Sequence, residues 1–167
     1  HGIPVFFFFF IKSDSVFNQI QSLAPDLMVV ISYGKIILQR FYDMPRLGTI
    51  NIHASLLPSY RGASPIQNSL LHGDKETGVT IQKINDKLDE GNVILSKATP
   101  IGDSENYHEL RQRLSFLSAD LLLDFLEKLK EKKPLKEIPQ IHTGSYCRKI
   151  AKENGKILWS EESSDHI

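Results

Sequence analysis

Apolar positions along this chain alternate between short continuous runs and stripes at helical spacing. Val16, Phe17, Ile20 and Leu23 share one helical face, which predicts a helix over 15–23 ended by Pro25. Leu27 to Ile31 is a continuous run rich in β-branched residues, the pattern of a strand covered on both faces. Tyr33-Gly34 then turns the chain into a short segment ending near Pro45, and 49–54 reads as the next strand. Pro65 suits the first turn of a helix that continues to Gly73. Strands follow over 79–84 and 93–101, with Gly91 and Asn92 at the turn between them. The longest stripe, Tyr107, Leu110, Leu114, Leu117, Leu121, Phe125 and Leu129, predicts a helix over 107–130. Asn106 and Glu109 have the spacing of a capping box at its start. Lys128, Lys130, Lys132 and Lys133 suit its negative end and read as a solvated helix terminus before an RNA patch. Beyond Pro134 the signals weaken. Strands and helices in alternation make this an α/β chain.

Composition narrows the picture without adding a domain. With 167 residues, 41% of them apolar, the chain can bury a sizeable core as one globular domain or most of one. Its formal net charge is zero, so no global field draws it to nucleic acid. Cys147 is the only cysteine, which excludes internal disulfides and a thiolate metal cluster and fits a reducing compartment, the cytoplasm being the expected location. No His/Cys/Asp spacing suggests a metal, and no glycine-rich phosphate loop is present. The longest apolar run, Ile3 to Ile11, is too short to span a bilayer and contains Pro4, so no membrane partner is expected.

The candidate chemistry lies where the 49–54 strand breaks into a Pro/Gly-punctuated loop. Residues i and i+2 of a strand point to one face, so Asn51 and His53 converge at the strand's end. An amide and an imidazole aimed at one point suit a carbonyl whose oxygen becomes negative during reaction. Taken alone, an Asn-x-His pair is more often a turn cap beside a satisfied histidine.

The neighbouring residues change that balance. Asn51 to Gly62, continuing through Ala63-Ser64-Pro65-Ile66-Gln67 to Leu88-Asp89-Glu90-Gly91, closely resembles the folate-dependent formyltransferase family. The family pattern of an Asn-x-His pair, a Ser-Leu-Leu-Pro loop and a later Leu-Asp-x-Gly turn occurs in order, as Asn51 and His53, Ser55 to Pro58, and Asp89. The likeness runs from about Gly2 to Phe6 and from Asp26 to Trp159. It implies a doubly wound, Rossmann-like domain with a mainly parallel sheet. It also implies formyl transfer from 10-formyltetrahydrofolate, a co-substrate, to an amine through a tetrahedral oxyanion. Asn51 and a ring N–H of His53 would then donate to the oxyanion, with Asp89 accepting the amine's proton. The folate would lie against Ser55, Leu56, Leu57 and Pro58, beside Lys35 and Ile37 and the loop of Asp86 and Leu88. Read alone, Ile36 and Ile37 are ordinary core and Pro58 ordinary turn punctuation. Arg61 and Gly62 shape the loop, and Arg61 is also able to meet an anionic substrate group.

Within the family, Ala54 after the histidine, Ile66-Gln67 and the exit segment (Tyr146-x-x-Lys149-Ile150, then Gly155-x-Ile157-x-Trp159) are most similar to members that formylate methionyl initiator tRNA. Glu90, Asn92, Cys147-Arg148 and Leu158 depart from the usual residues there, away from the chemistry. A monomer is expected. Two further readings stand beside this one: a related formyltransferase or hydrolase with another acceptor, and a non-catalytic remnant of a disrupted gene.

The start of the chain bears on the second of these. It opens on His1, and the run Phe6 to Phe10 stands where the family turns polar, as a frameshifted or fragmentary reading frame would produce. An uncharged, β-prone run of this kind aggregates when exposed. The resemblance makes His1 to Val5 the third strand of a sheet incomplete at its N-terminus, and gives 1–142 as the catalytic domain. It gives 143–167 as an exit toward a further domain. The expectation is an open side on the 27–31 strand, poor stability and little activity for these residues alone.

Overall fold

A computed structural model describes residues 2–8, 11–141 and 143–157. Phe9 and Phe10 of the phenylalanine run, and Leu158 and Trp159 of the exit segment, lie outside the described residues.

The elements run α1 (Asp14–Ser22), β1 (Met28–Ile31), α2 (Gln39–Tyr42), β2 (Thr49–His53), β3 (Arg61–Gly62), α3 (Pro65–Leu71), β4 (Glu76–Lys83), β5 (Val93–Pro100), α4 (Tyr107–Lys130) and β6 (Tyr146–Cys147). A short 3₁₀ turn, Lys152–Gly155, follows. Ser13 caps α1 through a hydrogen bond from the Val16 amide, and Asn106 and Glu109 form the expected capping box on α4. Caps of this kind contribute about 1 kcal/mol each. β4 begins earlier than the apolar run indicated, because Glu76 and Thr77 pair with Pro100 and Thr99.

Four strands form one sheet in the order β1-β2-β4-β5, and β3 pairs with β6 in a second, two-stranded sheet. The α/β class holds, and the four-stranded sheet is mixed where a mainly parallel one was expected. β1 and β2 run parallel, since the connection between them includes α2, while β2–β4 and β4–β5 are antiparallel. β5 follows β4 through the 84–92 loop, and a return that short reverses strand direction.

One face of the sheet is apolar and the other polar. Ile50, Ile52, Val79, Ile81 and Ile94 pack with Leu110, Leu114, Leu121 and Phe125 of α4 into the core. Burying each such side chain contributes about 1.5–3 kcal/mol. On the opposite face Asn51 stands directly across from Gln82, and His53 across from Thr80. Loops cover this polar face.

β1 lies at the sheet edge and was expected to be covered on both faces; instead Met28, Val29 and Val30 are half-buried and Ile31 is 55% exposed. Residues 2–8 form no strand, and Ile3, Val5, Phe6 and Phe7 are exposed. Among the described residues no helix is long and apolar enough to cross a membrane.

Candidate active site

β2 delivers Asn51 and His53 to the polar face because Ile50 and Ile52, alternating with them, are drawn into the core. The third residue arrives from elsewhere. The 84–92 loop leaves β4 beside Thr49, whose carbonyl accepts from the Ile84 amide, and folds back over the polar face. Asp89 sits in this loop with φ of 53°, a left-handed conformation that Asp tolerates better than most residues. Gly91, two residues on, passes so close to β4 that a Cβ there would lie 1.7 Å from the Lys83 carbonyl oxygen.

The carboxylate of Asp89 is the hub. Its Oδ1 accepts from Gln82 Nε2 at 2.9 Å and from Asn51 Nδ2 at 3.3 Å. Its Oδ2 accepts from the Gly62 amide at 2.8 Å and lies 3.8 Å from His53 Nδ1. The other ring nitrogen of His53, Nε2, is 2.8 Å from the Tyr60 carbonyl oxygen. A carbonyl only accepts, so Nε2 carries a proton and Nδ1 is the nitrogen turned to Asp89. At 3.8 Å Nδ1 is near enough to pair electrostatically with the carboxylate in a doubly protonated ring, and too far for a direct hydrogen bond. The side chains of His53 and Asp89 are only 7% and 12% exposed, so charge on either is weakly screened by water.

The 55–60 loop is tied to the same face. Thr80 Oγ1 donates to the Ser55 carbonyl at 2.7 Å and accepts from the Leu57 amide at 3.1 Å. Ser55 is buried with its hydroxyl on the Ser59 carbonyl, while Leu56, Leu57 and Pro58 are half-buried. Lys35 and Ile37 lie in the loop after β1, at the end of the sheet where His53 sits, with Lys35 exposed and Ile37 half-buried. Asp86 and Leu88 belong to the loop that carries Asp89, and both are exposed. Among the described residues no hydrogen bond joins these four to Asn51, His53 or Asp89. Neither a metal-ligating cluster nor an unpartnered buried polar side-chain atom occurs among the described residues.

Tyr60 anchors the loop from behind. Its hydroxyl donates to Asp74 Oδ2 at 2.6 Å, and burial, then the Asp74 hydrogen bond and charge, push its phenol from the usual 10 up to about 12. A raised pKa means the folded state holds the proton more tightly. The contribution is therefore whole below pH 10 and lost as pH rises toward about 12. In chemical denaturation at rising pH, Tyr60→Phe is expected to be the less stable protein at neutral pH and to lose less stability across that window.

Groups given no role at the site by the sequence also hold it: Gln82, Gln140 and the Tyr60 carbonyl, with the Gly62 amide reaching beyond the loop-shaping expected of that residue. Gln82 was within reach, since Thr80 and Gln82 alternate with Val79 and Ile81 as Asn51 and His53 do with Ile50 and Ile52. Gln140, in the irregular segment after α4, carried no such signal.

A profile of the Formyl transferase family matches residues 12–126. The chain belongs to that family. Among related formyltransferases, the methionyl-tRNA formyltransferase of Legionella pneumophila (strain Paris) is 40% identical over 163 residues, which is 98% of this chain and 52% of that one. The methionyl-tRNA formyltransferase of Syntrophus aciditrophicus is 42% identical over 154 residues, 92% of this chain and 49% of its own. The chain thus spans about half the length of the curated relatives it matches. In three dimensions it is similar to the formyltransferase PseJ from Anoxybacillus kamchatkensis, solved in complex with UDP-4,6-dideoxy-4-formamido-L-AltNAc and tetrahydrofolate. The TM-score is 0.68 at 28% identity, over 78% of this chain and 68% of that one. HypX from Aquifex aeolicus, in complex with tetrahydrofolic acid, superposes with a TM-score of 0.78 at 20% identity over 92% of this chain and 26% of its own, a likeness of fold alone.

Proposed function

We propose that Asn51, His53 and Asp89 transfer a formyl group from 10-formyltetrahydrofolate to the amino group of methionyl initiator tRNA. The observation that carries this reading is the placement of the Asp89 carboxylate between Asn51 Nδ2, at 3.3 Å, and His53 Nδ1, at 3.8 Å, on one face of β2. The neutral amine attacks the formyl carbon, and the carbonyl oxygen takes the negative charge. Asn51, with its second amide proton, and His53, through Nδ1–H of the doubly protonated ring, donate to that oxygen. Asp89 takes the proton the amine sheds and passes it to N10 as the bond from carbon to N10 breaks, which returns Asp89 to the carboxylate.

The donor in this reading lies against Ser55 to Pro58, flanked by the loop of Lys35 and Ile37 and by Asp86 and Leu88. Leu88 at 61% exposed and Ile36 at 75% exposed, the latter expected from its sequence to be core, are apolar surface beside the site, suited to covering a ring system. The tetrahydrofolate held by PseJ supports the donor, and the names of the curated relatives support the acceptor. In this reading the protein works as a monomer in the cytoplasm. Residues 1–142 make up the catalytic unit in this reading, and 143–167 form the exit from it.

The test is acceptor choice. Formylation of methionyl initiator tRNA, of a nucleotide-linked amino sugar and of water is compared with one donor preparation, in the protein as expressed from its own gene. Transfer at least about tenfold faster to the tRNA supports the proposal, since a site built to fit its acceptor discriminates by that much or more. Equal transfer to all three, or hydrolysis alone, replaces it with the related-enzyme reading. The open β1 edge and the strandless 2–8 segment favour a second possibility, a chain that keeps the site without turnover. Failure to formylate any acceptor would establish that one.

A further inference from the structure

Arg61 is a buried guanidinium with no carboxylate within salt-bridge distance among the described residues. A buried charge of that kind calls for compensation from somewhere. Its Nε and Nη2 donate to Gln140 Oε1 at 3.1 and 2.8 Å. Gln140 Nε2 donates onward to Gln82 Oε1 at 3.2 Å, and Gln82 Nε2 donates to Asp89 Oδ1 at 2.9 Å. Two amides thus stand in line between a cation and the site's anion, each with its oxygen toward Arg61 and its nitrogen toward Asp89. Neither can flip, because a guanidinium only donates and a carboxylate only accepts. Amides aligned in one direction polarise each other, so the two ends strengthen the whole chain of bonds.

The same Gln140 nitrogen lies 3.0 Å from the Asp89 carbonyl and 2.7 Å from that of Gly91, so its two protons are shared among three acceptors. These bonds grip the backbone on both sides of the turn that holds Asp89 left-handed. The segment bearing Gln140 is fixed in turn by the bridge between Val93 and Ile138, with N–O distances of 2.9 and 2.8 Å.

We propose that Gln140 and Gln82 are positioning residues, an amide relay that couples the Arg61 charge to Asp89 and sets the direction of its carboxylate. The proposal rests on the role given to Asp89 above. The segment after α4 therefore belongs to the site's machinery, although it lies beyond the residues matched by the family profile.

The decisive variant is Gln140→Glu. A carboxylate there pairs with Arg61 better than the amide does but has no proton for Gln82, Asp89 or Gly91. Because the Asp89 and Gly91 carbonyls lose their donor, the variant is expected to melt several degrees lower and still fold. Its kcat falls about tenfold or more while the donor KM stays within about threefold. Gln82→Met, of similar length and without hydrogen-bonding groups, is expected to lower kcat likewise, and the double variant to do no worse than the poorer single one. The backbone amide proton of Gly62, which donates to Asp89 Oδ2, reports the carboxylate's position by NMR without any turnover and should move upfield in both variants. Full kcat and an unmoved Gly62 resonance in Gln140→Glu, or losses that multiply in the double variant, would overturn the relay. Should Gln140→Glu fail to fold, Gln82→Met and its Gly62 resonance decide alone. An inactive parent protein counts against the proposed reaction, whereas the Gly62 shift still tests the relay.

Discussion

Asp89→Asn is expected to fold and to bind the formyl donor with little change, and to turn over about 10²- to 10⁴-fold more slowly, the range for loss of a positioned proton acceptor. An amide has nearly the shape of the carboxylate but presents donors where Asn51 Nδ2, Gln82 Nε2 and the Gly62 amide already donate. One oxygen remains to accept from partners on two sides, so some loss of stability accompanies the loss of rate. His53→Ala removes one of the two proposed oxyanion donors and is expected to cost about 10²- to 10³-fold in kcat. Because the two residues serve one step, the double variant should lose far less than the product of the single losses. Steady-state rates with the donor varied, beside thermal melts, separate these effects. A donor KM that rises as steeply as kcat falls would mean that Asp89 binds the donor and takes no proton.

The second large effect is structural. Gly91→Ala puts a methyl group 1.7 Å from the Lys83 carbonyl oxygen, a backbone atom within β4 that cannot swing away. The strands must part or the 84–92 loop must move, at an expected cost of about 3 kcal/mol. For a chain of this size that lowers the melting temperature by about 6–12 °C. Activity falls further than stability does, since the displaced loop carries Asp89. Gly155→Ala is the control, with nothing within 4 Å of the added Cβ and an expected melt unchanged from the parent. An undisturbed melt in Gly91→Ala would mean that the loop does not press on β4.

What could be read from the sequence follows the range of the interactions involved. α4 was legible end to end because its stripe and its capping box, Asn106 with Glu109, are local. The Asn51 and His53 pair was legible because a strand's alternation is local too. The open edge of β1 was anticipated from the resemblance, whereas periodicity alone reads 27–31 as a strand covered on both faces. The mixed sheet was not foreseen, since strand direction depends on how connections return and not on apolar runs. Gln140 is 58 positions from Gln82 and 79 from Arg61, and it sits in a segment without periodicity. Such contacts are decided by the tertiary fold, and a single sequence carries no local trace of them.

The most direct test of the site is single-turnover formyl transfer from labelled 10-formyltetrahydrofolate to methionyl initiator tRNA. The parent protein is compared with a triple variant, Asn51→Ala, His53→Ala and Asp89→Asn, after both are seen to melt cooperatively. Transfer by the parent at least about 10³-fold faster than by the triple variant is the predicted result, given what oxyanion donors and a proton acceptor contribute together. Equal rates in the two proteins would contradict the account, because the groups gathered around Asp89 would then have no part in the reaction.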